Sequence, residues 1–231
     1  MPVSSKKVRL SLLVLFYIFV VTGCQYQRSQ LPPAKPFPSF KGKMAIAGFR
    51  PALTQGQAPG MVRSPISGAV FMAEPVSDSI VLQMNDMLLN RLMKNEDYDL
   101  VPPSQVRGVF SHIISDNKYT LDDMAVIKKI GKAFNAQVVL VGYLYRWQER
   151  DGTEYSAKQP ASVAFDLNLI QSETGDIIWK GSFDKTQKSL MENLFDFSFF
   201  FKGKGKWMTA RQLAELGLSK LIDLHNSNDV Q

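Results

Sequence analysis

The sequence predicts an α+β fold, a mixed β-sheet with helices packed on it. Three observations carry this. Val138-Val139-Leu140-Val141 is a continuous apolar run, the pattern of a central strand buried on both faces. Ser162 to Ile170 alternates strictly, Val163, Phe165, Leu167 and Leu169 against Ala164, Asp166 and Asn168, which predicts a strand with one buried and one wet face. Val81, Met84, Leu88 and Leu92 recur at spacings of three or four, the buried stripe of a helix.

In chain order, a basic start (Lys6, Lys7, Arg9) leads into an apolar stretch from Leu10 to Val21, the layout of a secretory signal over residues 1–23. The stretch falls short of the roughly 20 apolar residues of a membrane span. It ends in Val21-Thr22-Gly23-Cys24, and Cys24 is the only cysteine. This run resembles the lipobox of bacterial lipoproteins. The resemblance implies cleavage between Gly23 and Cys24, an S-diacylglycerol and an N-acyl chain on Cys24, and stable anchoring by several acyl chains. By the sorting rule of enteric lipoproteins, Gln25 in place of Asp implies the outer membrane, with the domain facing the periplasm. Residues 24–41 follow as a tether stiffened by Pro32, Pro33, Pro36 and Pro38. At about 3.1 Å per residue it reaches roughly 50 Å.

A single domain is expected over 42–231. It opens with a strand, Met44 to Phe49, followed by a long Pro- and Gly-rich loop, Arg50 to about Pro75. A helix from Ser77 to about Lys94 is capped by Ser77 or Asp78, and Tyr98 to Val101 is a short strand. Pro102-Pro103-Ser104 opens a second helix with Val106, Val109, Phe110 and Ile113 on one face. Thr120-Leu121-Asp122-Asp123 fits a capping box for a third, with Met124, Ile127, Ile130 and Phe134 inward. Strands follow over Gln137 to Trp147 and Ser162 to Ile170. Thr174-Gly175-Asp176 then turns the chain into Ile177 to Phe183 as a hairpin. A last helix spans about Thr209 to Leu224.

Several of these segments resemble one superfamily: Leu88-Leu89-Asn90-Arg91-Leu92 before Tyr98-Asp99-Leu100-Val101, Ile130-Gly131-Lys132-Ala133-Phe134-Asn135-Ala136-Gln137 feeding Val138 to Gly142, and Thr174-Gly175-Asp176-Ile177-Ile178-Trp179. Together they are similar to the periplasmic domain shared by the curli secretion channel lipoprotein and by lipoprotein activators of peptidoglycan synthases. The similarity covers most of residues 44–224. Within it, Gly131 is read as letting a helix pack closely and Asn135 as ending it.

Composition bounds the function. At 45% apolar and 21% charged residues the chain is globular. Its net charge of +6 falls to +3 once Lys6, Lys7 and Arg9 leave with the signal, too little to argue for nucleic acid. Two histidines, His112 and His225, offer no metal-ligand spacing. There is no nucleophile elbow, Ser182-Phe183-Asp184-Lys185 lacks companion motifs, and Lys202-Gly203-Lys204-Gly205-Lys206 lacks the Ser or Thr of a phosphate loop. A non-enzyme without cofactor is expected.

Two segments invite a functional reading. In the loop, Arg63, Ile66 and Phe71 either pack against the chain's own sheet or bind a partner. Phe195, Phe197, Phe199, Phe200 and Phe201, with Trp207 after three interleaved lysines, either cap the core or form an aromatic patch for a partner or lipid headgroups. The expectation is a lipid-anchored accessory lipoprotein acting on unidentified envelope proteins, with a homo-oligomer through the sheet edge or Phe-rich segment left open. The alternative is a subunit of an oligomeric outer-membrane export channel. For a channel of the curli-secretion type the resemblance implies two spanning hairpins per subunit, and Gln148 to Pro160 is short and charged.

Overall fold

The computed structural model describes residues 35–39, 41–94, 97–115, 122–187 and 206–223, with the side chains of 110–115 excepted. The signal segment, Gly23, Cys24 and the five clustered phenylalanines lie outside the described residues. The elements are β1 (Gly42–Pro51), β2 (Gly60–Arg63), β3 (Val70–Ala73), α1 (Asp78–Leu92), β4 (Tyr98–Val101), α2 (Pro103–Ser115), α3 (Asp123–Phe134), β5 (Val138–Gln148), β6 (Asp151–Gly152), β7 (Ala157–Gln159), β8 (Ser162–Gln171), β9 (Ile177–Thr186) and α4 (Ala210–Ile222). A five-stranded sheet runs β4-β1-β5-β8-β9. β1 lies parallel to β4 and β5, while β5, β8 and β9 are antiparallel. The sheet is mixed and carries helices, as the sequence predicts.

Each face of the sheet has its own apolar cluster. On one, Val81, Met84, Leu88 and Leu92 of α1 and Leu213, Leu218 and Leu221 of α4 bury Met44, Ile46, Leu140, Phe165 and Leu167. On the other, Val106 of α2 and Val126, Ile127 and Ile130 of α3 cover Val139, Val141 and Ile170. β5 is therefore buried on both sides, which its unbroken apolar run requires.

β8 corrects the expectation of a wet face. Ala164, Asp166 and Asn168 are all fully buried, because α3 and the β2–β3 ribbon close over them. Alternation reports polarity, not exposure: Asp166 tolerates burial because its hydrogen bonds are met, whereas Asn168 Oδ1 and Nδ2 are buried with no hydrogen-bond partner among the described residues. Two cap expectations also change. Ser77 is the N-cap of α1 but makes no cap bond, its hydroxyl lying 2.9 Å from Ser79 Oγ. α3 starts at Asp123 with no side-chain cap, and the Asp123 carboxylate serves the hydroxyl of Tyr143 instead. A reciprocal capping box does form at Thr209 and Gln212, opening α4.

Two glycine-and-turn readings hold. Asn135 ends α3 in the left-handed region at φ 50°. At Gly131 an added Cβ would sit 2.3 Å from Ser172 Oγ, so α3 needs the missing side chain to lie against the β8–β9 turn. Within the expected tether, Phe37 is buried. It meets Trp179 of β9 edge-on at 4.8 Å and Tyr98 of β4 at 6.2 Å, and Trp179 Nε1 donates to the Lys35 carbonyl.

Candidate functional site

The stretch from Arg50 to Pro75 is a built object rather than a plain loop. β1 continues to Pro51, and β2 and β3 then pair antiparallel, with Met61 opposite Met72, Val62 opposite Phe71 and Arg63 opposite Val70. The turn between them closes through Ser64 N–H to the Ala69 carbonyl at 2.7 Å, with Gly68 at φ 74° where a side chain would be strained. Arg63 Nη1 donates to the Gly68 carbonyl at 2.9 Å.

Side chains alternate across a two-stranded ribbon. The inner row docks on the sheet: Phe71 lies stacked on Tyr145 with ring centroids 4.0 Å apart. Below the stack sits Asp166, a fully buried carboxylate that accepts from Ser67 Oγ at 2.7 Å, Tyr145 Oη at 3.2 Å and Tyr143 N–H at 3.2 Å. Backbone bonds from Glu74 to Tyr145 and from Ala52 to Leu144 hold the ribbon's roots. A register shift between Leu144 and Arg146 frees Arg146 to reach the Met72 carbonyl at 3.1 Å, Ser162 Oγ at 2.6 Å and the Asp184 carboxylate.

The electrostatics match this packing. Burial foremost, then the hydrogen bond and charge of Asp123, push the Tyr143 phenol above the ordinary tyrosine range. Burial foremost, then the charge of Asp166, does the same for Tyr145. Both stay neutral donors at physiological pH.

The outer row is different. Met61 is 65% exposed and Val70 and Met72 are each 47% exposed, beside the exposed Arg63. Of the residues expected at an interface, Arg63 is on this outer face and Ile66 is half-buried against the inner cluster. Phe71 is only 4% exposed and serves the docking row. Met61, Val70 and Met72, which are not among those candidate residues, share the outer face with Arg63. Their signal is the two-residue period of Gly60-Met61-Val62-Arg63 and Val70-Phe71-Met72-Ala73 about Gly68.

Trp207 lies elsewhere, half-buried at the end of the sheet. Its N–H donates to the Glu154 carbonyl at 2.8 Å, and its own carbonyl accepts from Arg150. Beside it, the buried Gln187 donates to the Lys206 carbonyl at 2.9 Å and accepts from Met208 N–H at 2.6 Å. The two ends of the Phe-rich segment are thereby tied together, while Phe195, Phe197, Phe199, Phe200 and Phe201 lie outside the described residues. Among the described residues no helix is long and apolar enough to cross a membrane, and no group of three or more His, Cys, Asp or Glu could hold a metal ion.

No protein-family model and no curated protein matches the chain. Among solved structures it is similar to the C-terminal domain of LpoB from Salmonella enterica, at 16% identity over 70% of this chain and 89% of that one, with a TM-score of 0.37. It is similar to lipoprotein GNA1162 from Neisseria meningitidis, at 14% identity over 71% and 98% of the two chains and a TM-score of 0.40. It is also similar to the PelC dodecamer from Paraburkholderia phytofirmans, at 14% identity over 81% and 90% and a TM-score of 0.37.

Proposed function

We propose that this chain is a lipid-anchored accessory lipoprotein of the cell envelope, held at the periplasmic face of the outer membrane through Cys24. It works by gripping another envelope protein with the outer face of the β2–β3 ribbon, and it turns over no substrate. The observation that carries this is the pairing of Met61 with Met72, flanked by Val70, exposed on a ribbon whose inner face is fastened by Phe71 and Ser67. Exposed apolar clusters on soluble domains mark interaction sites. Methionines adapt to a partner's contours, and a fastened ribbon has little ordering entropy left to lose on binding. The sequence from Lys6 to Cys24 supports the anchor.

The alternative of an export-channel subunit has less support. β6 and β7 hold two and three residues, where a membrane-spanning strand needs about 9 to 11.

A photo-crosslinking residue placed at Met61 or Met72 in intact cells tests the surface, with Leu82 of α1, 44% exposed, as control. The expected result is a discrete covalent adduct with an envelope protein from the ribbon positions alone. Equal or absent adducts at all three positions would refute it. Cys24→Ser tests the anchor separately: the variant should leave the membrane fraction while its ribbon stays intact.

A further inference from the structure

The parallel pairing of β4 with β1 stops at Ala45, although β1 continues to Pro51. Beyond that point the strand's edge is open, and α1, α2 and α3 stand around the gap. The result is a cavity of about 150 Å³. At roughly 30 Å³ per water molecule in the liquid, it has room for about five, or for a small organic group. Phe49, Val106 and Ile130 give it apolar walls, and Arg50, Arg107 and Asn85 give it polar ones. Among the described residues no acidic side chain lines it.

Asn85 is the informative residue. It is 95% buried by its 5% exposure, and its Oδ1 accepts the open-edge N–H of Phe49 at 2.6 Å. That bond fixes which end of the amide is oxygen. Nδ2 makes no hydrogen bond to a described residue, and this buried residue lines the cavity. The approach is possible because residue 48 is glycine at φ 77°; a Cβ there would sit 2.4 Å from Asn85 Oδ1. Two guanidinium groups that keep partners of their own, Arg50 with Asp123 at 3.4 Å among them, add permanent positive charge at the walls.

We propose that this cavity binds a carboxylate carried on a short carbon stem. The planar pair of oxygens suits an amide NH₂ and a guanidinium fork, and Phe49, Val106 and Ile130 cover the stem. Inorganic phosphate offers nothing to those walls. The carboxylate comes either from a free small acid or from an acidic side chain of a partner protein, and the proposal stands whether or not the ribbon binds.

The test titrates butyrate, inorganic phosphate and a capped Ala-Glu-Ala peptide into the detergent-solubilised full chain, following the Phe49 amide and the Asn85 side-chain amide by NMR. Butyrate or the peptide should saturate below about 10 mM and weaken by at least about tenfold in Arg107→Gln, whose side chain is exposed. Asn85→Asp keeps an acceptor for Phe49 while placing a negative charge in the cavity, and it should abolish binding. If Asn85→Asp does not fold, Arg107→Gln decides. Tighter binding of the peptide assigns a partner's side chain, and tighter binding of butyrate assigns a small acid. Linear shifts without saturation, binding unchanged in Arg107→Gln, or phosphate binding as tightly as butyrate would each overturn the proposal.

Discussion

Phe71 and Met72 are adjacent in sequence, yet their truncation should have opposite consequences. Phe71 is 4% exposed and stacked on Tyr145, so Phe71→Ala empties a buried aromatic site. Such changes cost about 3–5 kcal/mol. The upper part of that range applies, because Tyr145 is fixed in β5 and tied to Asp166 and cannot swing in to close the gap. In a domain of this size each kcal/mol lowers Tm by about 2–4 °C, which puts the loss near 8–20 °C. Met72 is 47% exposed, and Met72→Ser should change stability by less than about 0.5 kcal/mol. Met72→Ser should instead remove the partner adduct formed from Met61. Urea unfolding of both variants reads the first pair of numbers. A double cycle with Tyr145→Ala should return a coupling of about 0.5–1.5 kcal/mol for the stacked rings. A Phe71→Ala loss below about 1 kcal/mol, or a Met72→Ser loss above it, would refute the two-faced ribbon.

Two further predictions concern the sheet. The pKa values of Tyr143 and Tyr145 are raised in the folded state above the unfolded value of about 10, so the stability they contribute is complete below pH ~10 and is lost as pH rises above it. The Tyr143→Phe/Tyr145→Phe double variant should therefore be less stable at neutral pH but lose less further stability than wild type above pH ~10. Equal slopes in denaturant midpoint against pH would contradict this. Gly131→Ala pushes a Cβ to within 2.4 Å of Ser172 Cβ and should cost about 1–3 kcal/mol, most of it recovered by Ser172→Gly in the double variant. Failure of that rescue in thermal unfolding would mean that α3 is placed by something other than this contact.

Features set by local chemistry were legible in the sequence. The apolar run of β5, the helical stripe of α1, the Thr174–Asp176 turn and the left-handed Asn135 all act within a few residues of themselves. What closes over a face was not legible. Asp166 and Asn168 look solvated in an alternating strand, and only α3 and the ribbon, whose Ser67 lies nearly a hundred residues from Asp166, bury them. The ribbon itself hid because four-residue strands are too short to establish a period and methionine has little strand preference. The candidate residues of that stretch fall on mixed faces: Arg63 outside, Phe71 inside. The cavity at Asn85 left still less trace, since it depends on where β4 stops.

The clamp at Gln187 bears on how much change the Phe-rich segment tolerates. Gln187 holds Lys206 and Met208, so the described chain on either side of residues 188–205 is fastened at one point. For a loop closed in this way, the entropy of closure rises by only about 0.6 kcal/mol per doubling of length. Between two ends fastened to one side chain, a change of length therefore alters the closure entropy little. The glutamine and its two backbone partners are what any change of length between them has to preserve.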